Sequence, residues 1–100
     1  MATLIVSSIT QSTKEKRQWD FDFNNDLPTG ATVSSAVATH TPPSGNALTP
    51  TVGSPVAGVV PVTLDFVSQS VALGQHQLSC VATFSNAEKS EILLYFRVDF

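Results

Sequence analysis

The chain has 100 residues, of which 42% are hydrophobic and 13% charged, and its net charge is −3. That length supports one hydrophobic core and not two, while the charged fraction is about half the roughly 25% of an ordinary domain. With five Lys and Arg against eight Asp and Glu, no basic stripe exists to neutralise a run of phosphates, which argues against nucleic-acid binding. No stretch approaches the roughly eighteen apolar residues of a membrane-spanning helix, so no membrane partner is expected. The start, Met1 to Val6, has no basic region and too short an apolar run for a signal peptide. Synthesis in a cytoplasm, without export by the secretory route, is therefore expected. A surface built from Ser, Thr, Asn, Gln and Ala suits an extracellular module or a protein whose faces are covered in an assembly.

Residues 3–10 form a β-prone run centred on Leu4, Ile5 and Val6, followed by a polar stretch from Gln11 to Lys16. Residues 1–15 thus read as an N-terminal arm or edge strand that could dock on a neighbouring copy, since unprotected strand edges find partners. The domain proper is expected over 16–100. Trp19, Phe21 and Phe23 alternate with Gln18, Asp20 and Asp22, a period of two that predicts a half-buried strand. Asn24 to Gly30 is a cluster of turn formers. Its oxygen-bearing side chains raise calcium as an alternative, but no EF-hand spacing is present.

Small and β-branched residues from Ala31 to Ala38 predict a strand with Val33 and Val37 inward. Residues 39–50, with Pro42 and Pro43, read as a loop or wide hairpin. Strand is expected weakly over 48–52 and again over 57–60, with Pro61 marking an edge or bend. Val62, Leu64 and Phe66 then alternate with Thr63, Asp65 and Val67, and 70–74 reads as a connection between sheets. Over 75–84 the inward set is His76, Leu78, Cys80, Ala82 and Phe84. After a turn at Ser85–Glu88, Ile92, Leu94, Phe96, Val98 and Phe100 share one apolar face of the last strand. Its other face reads Glu91, Leu93, Tyr95, Arg97 and Asp99, and Leu93 and Tyr95 interrupt an otherwise solvated pattern. They are either scattered surface residues or a small contact surface for a partner. Six or seven short strands with no amphipathic helix point to a sandwich or small barrel.

Candidate chemistry is sparse. The single Cys80 excludes an internal disulfide and reads as a buried small hydrophobe. His40 and His76 sit in no catalytic signature, and His76 reads as a core-edge or corner residue. Zinc would need three or four ligands, and no CxxC or HxxxH spacing supplies them, so no metal or cofactor is expected. Asp20 and Asp22 lie roughly 6.6–7 Å apart by strand rise, a separation that glycosidase carboxylates also use, but acids on an outward strand face are usually solvated. A sugar-binding platform would need exposed rings beside amides, and strand parity leaves Tyr95 as the outward aromatic.

Two stretches together resemble the Ig-like modules of tailed-bacteriophage structural proteins. Lys16-Arg17-Gln18-Trp19-Asp20-Phe21-Asp22-Phe23 looks like their charged start and aromatic strand, and Leu27 to Val33 like the following turn and strand. Gly74 to Thr83 and Ser90 to Val98 resemble the two closing strands. His76 stands where a tyrosine is usual, and a histidine reaches less far toward the backbone group that such a corner tyrosine bonds. The resemblance implies an all-β, Ig-like antiparallel sandwich of six to eight strands. It further implies a non-enzymatic virion component of a capsid, neck or tail, binding other virion proteins and copies of itself. Leu4, Ile5, Val6, Leu93 and Tyr95 are the candidate interface residues. The alternative is a carbohydrate-binding or host-adhesion module facing a host-surface glycan.

Overall fold

The computed structural model describes residues 16–67 and 71–98 in full, and the backbone of residues 2–10 and Asp99. The polar stretch 11–15, Ser70 and Phe100 lie outside the described residues. Seven strands run through the rest: β1 (Ala2–Thr10), β2 (Lys16–Asp22), β3 (Val33–Thr41), β4 (Thr51–Val52), β5 (Val59–Asp65), β6 (Gly74–Phe84) and β7 (Lys89–Asp99). They form an all-β sandwich of two sheets, ordered β1-β7-β6-β3 and β2-β5-β4. Pairing is antiparallel except where β1 joins β7 in parallel, with Leu4 opposite Leu93 and Val6 opposite Tyr95. The β-prone run at the chain start is thus an edge strand of its own domain.

Alternation builds the core. Phe21 and Phe23 come from the β2 segment, and Val60, Val62, Leu64 and Phe66 from the β5 segment. Leu78, Cys80, Ala82 and Phe84 face them from β6, with Ile92, Leu94, Phe96 and Val98 from β7. Each of these side chains is at most 3% exposed. Burying one large apolar side chain contributes about 1.5–3 kcal/mol, so these four rows dominate the packing. Trp19 is half-buried against the same cluster. Cys80 lies in it too, and burial pushes its thiol pKa up to about 11, leaving a packing residue without thiolate character.

Three local readings need correction. Val37 does not point inward: it is 67% exposed. A β-bulge shifts the β3–β6 register between Val33 and Ser35, and an extra residue on one strand reverses parity beyond it. Val33 therefore packs on the core, while downstream the inward residues are Ala36, Ala38 and His40. Consequently β3 runs on through His40 and Thr41, residues that sequence places in a loop.

Pro61, expected at an edge or bend, occupies the middle strand of its sheet. The backbone N and O of a strand residue face the same neighbour. Because the Gly53 amide donates to the Pro61 carbonyl, the nitrogen without a proton faces the β4 side, just past the end of that two-residue strand. The pair Asp20–Pro61 toward β2 therefore loses no ladder bond. Position 53 must be glycine, since a Cβ there would meet the Pro61 ring at 2.8 Å.

The third correction is at Ala57, expected to begin a strand. Val56 and Val59 exchange both backbone bonds around Ala57 and Gly58, whose φ values are 51° and 80°. That is a two-residue turn of the kind hairpins favour. A side chain on Gly58 would strike Leu27 Cδ1 at 2.9 Å. The turn also receives β2, because Phe23 N donates to Gly58 O and Asn24 Nδ2 to Ala57 O.

The register correction predicts a contrast measurable by chemical denaturation. Val37→Thr should change stability by no more than about 0.5 kcal/mol, as outward positions do. Leu64→Ala should cost about 2–5 kcal/mol, as a buried truncation does.

Candidate interaction surface and buried histidine pair

Across the four-stranded sheet, register aligns residues in rows. One row joins Thr41, Gln77, Tyr95 and Val6; the next joins Thr39, Ser79, Leu93 and Leu4; a third joins Val37, Val81 and Glu91. Leu93, Tyr95 and Val81 are each half-buried, and Val37 is open. The Glu91 carboxylate accepts a 2.6 Å bond from Ser79 Oγ, which ties down the charge at one end of this band. Arg97 lies at the other end, opposite Gln75. Among the interface candidates, Leu4 and Val6 are thus brought into register with Leu93 and Tyr95. Ile5 is opposite Leu94, a core residue. Val37 and Val81 belong to the same face; the bulge conceals the first, while alternation over 75–84 already places the second outward, between Ser79 and Thr83 on that face.

Beside Tyr95 lies a small open recess of about 200 Å³, lined by Thr41, Pro42, Gln75, His76 and Gln77 as well. A larger cleft of about 420 Å³ opens at the other end of the sandwich, between Asn24, Leu27, Val33, Pro55 and Gly58. The oxygen-rich turn there is engaged by the protein itself. Asp22 Oδ1 accepts from the Asn24 amide and side chain, and Asp26 Oδ2 accepts a 2.7 Å bond from the buried Ser90 hydroxyl. These bonds explain Asp22, Asn24 and Asp26 as turn and tether groups. Asp20 is exposed and receives Gln18 Nε2 at 3.0 Å.

The two histidines, 36 residues apart in sequence, meet beneath the recess. His40 is 4% exposed and His76 1%. His40 Nε2 lies 2.9 Å from His76 Nδ1, and the rings are coplanar within 2°. The ends of the pair settle the tautomers. The Leu48 amide donates to His40 Nδ1 at 2.9 Å, so the His40 proton sits on Nε2 and is given to His76 Nδ1. That leaves the His76 proton on Nε2, where it is donated to Ala72 O at 2.7 Å. All four ring nitrogens are therefore satisfied by two neutral imidazoles. His76 reaches a backbone carbonyl despite its short side chain, because Ala72 is only four residues upstream.

Burial, followed by the neighbouring His76, lowers the His40 pKa from 6.5 to about 4. As the pH falls through 6.5 the unfolded chain takes up a proton that the folded chain refuses. Stability present above that value is thus lost toward pH 4. Denaturation in urea at pH 7.5 and pH 4.5 should show a loss of about 2–3 kcal/mol from this one group, and His40→Gln should remove that share of the difference.

Compared with known proteins, the chain matches no family model and no curated protein.

Proposed function

We propose that this domain is a non-enzymatic structural component of a virion, a capsid decoration, neck or tail protein made in the host cytoplasm. It works through contacts with other virion proteins and with copies of itself. The observation that carries the reading is the outward band of Val37, Val81, Leu93 and Tyr95, in register with Leu4 and Val6 of β1. A half-buried aromatic beside aliphatic neighbours is the composition that dominates interface energies. The low charged fraction, 13%, fits a surface covered in an assembly.

We infer that the sandwich is Ig-like, which supports the same reading. The orders β2-β5-β4 and β7-β6-β3 correspond to the B-E-D and G-F-C groupings of such sandwiches. The His76–Ala72 bond stands in for the corner. The phage-module resemblance of residues 16–33, 74–83 and 90–98 supplies the virion context.

A second reading, a carbohydrate-binding or host-adhesion module, is favoured by the recess, where the Tyr95 ring is flanked by Gln75, Gln77 and Thr41. Trp19 is not available to it, being stacked on Phe96 with ring centroids 5.1 Å apart. A glycan array without hits would remove this reading.

In sedimentation with purified parent particles, the chain should travel with capsids or tails. Replacing Leu93 and Tyr95 by Lys should weaken that association by at least about 30-fold, the effect of losing about 2 kcal/mol at an interface centre. A monomeric mass with no binding to either structure would overturn the proposal.

A further inference from the structure

We propose that the His40–His76 pair is an acid-opened latch: a proton taken up by the pair releases the 42–50 loop from the end of β3 while the His76–Ala72 contact stays fastened. The argument is an inventory of protons. The relay runs in one direction, from Leu48 N–H through His40 and His76 to Ala72 O, and it has no vacant acceptor. A proton arriving on His40 Nδ1 faces the Leu48 N–H, and two donors cannot share a bond. A proton arriving on His76 Nδ1 faces the His40 Nε2–H. That second clash is relieved, with the rings still joined, only if His40 moves its own proton to Nδ1, which again confronts Leu48. Otherwise the two rings must separate. The His76 Nε2–H to Ala72 bond survives in each of these states, and wherever the rings stay joined the contact that yields is the Leu48 bond that holds the loop.

The surroundings keep the latch shut near neutrality. From β7 the ring of Phe96 lies against both imidazoles, with centroids 6.0 Å from His40 and 5.0 Å from His76. From the opposite sheet, Trp19 of β2 and Phe66 after β5 pack on Phe96 in turn. None of these groups titrates. The charged residue sharing Trp19's inward parity on β2 is Arg17, a cation that cannot favour a second positive charge nearby. Asp20 and Asp65 have the outward parity and are exposed, and Arg97 alternates away from Phe96 on β7. Tyr95, on the rim beside His76, brings no carboxylate to the pair. Neither the 42–50 loop nor residues 71–73 carry a titratable side chain. No carboxylate among the described residues is thus positioned to compensate an imidazolium, and burial opposes it.

Release has a structural consequence, because the 42–50 loop leads from β3 in one sheet to β4 in the other, and Leu48 packs on the core from within it. Amide hydrogen exchange on the whole chain tests the latch. After correction for the intrinsic effect of pH, the opening constant of the Leu48 amide should rise about tenfold per pH unit between about pH 6 and 4.5, the slope of one proton. The Ile92 and Leu94 amides should remain protected throughout. Leu48 exchange independent of pH, or Leu48 exchanging only together with Ile92 and Leu94, would overturn the proposal. His40→Gln should abolish the pH slope at Leu48, and a slope that persists in a folded His40→Gln chain would also overturn it. Should that variant fail to fold, the comparison of amides in the unmodified chain decides alone.

Discussion

Phe96 lies between two flat surfaces that come from different regions of the chain. On one side is the Trp19 indole from β2, with an interplanar angle of 26°, and on the other the coplanar histidine pair spanning β3 and β6. Phe66 closes the arrangement edge-on at 6.1 Å. Offset and edge-on ring pairs contribute about 0.5–1.5 kcal/mol beyond the area they bury. Here they also bind one sheet to the other, since Phe96 belongs to the four-stranded sheet and Trp19 to the three-stranded one. The polar relay depends on this cover. The Phe96 side is buried and uncharged, so nothing there competes for the ring nitrogens, and the relay in turn fixes where β3 ends and the next loop begins.

At the far end of the sandwich the joints are polar. Asn24 links β2 to the tight turn at Ala57–Gly58, and Asp26 links the same segment to Ser90 at the start of β7. Asn24 and Asp26, two of the oxygen-bearing residues of that turn, are engaged in these tethers. The two ends are therefore held by different chemistry. Aromatic packing over histidines serves one, and side-chain caps on backbone groups serve the other.

Much of the fold is legible in the sequence wherever alternation is local. The inward sets Trp19–Phe21–Phe23, Val62–Leu64–Phe66, His76 to Phe84 and Ile92 to Val98 can all be read from a period of two, because each strand pairs without interruption. Beyond the bulge at Val33–Ser35 that reading fails. Nothing in Val33-Ser34-Ser35 announces an extra residue, so the parity of Val37 is inverted and His40 reads as loop. Pro61 is misleading for a related reason. Its place in a middle strand depends on how far β4 extends, which is a property of the partner strand. The meeting of His40 with His76 is invisible to any local rule. By contrast, Leu93 and Tyr95 can be picked out as breaks in a solvated pattern and Val81 as outward by parity, whereas Val37 joins them only through cross-strand register.

The parallel pairing of β1 with β7 bears on how the domain answers mechanical tension. Nine residue pairs, from Ala2–Glu91 to Thr10–Asp99, run side by side in the same direction. Tension applied ahead of β1 and beyond β7 would draw the two strands past each other along their length, so the hydrogen bonds of the ladder would share the strain and yield together. An antiparallel hairpin such as β6–β7, gripped at its open end, would instead unzip pair by pair. The domain should therefore resist extension through its two ends more strongly than through the ends of that hairpin. Single-molecule pulling in the two geometries would measure the difference, and equal rupture forces would refute it.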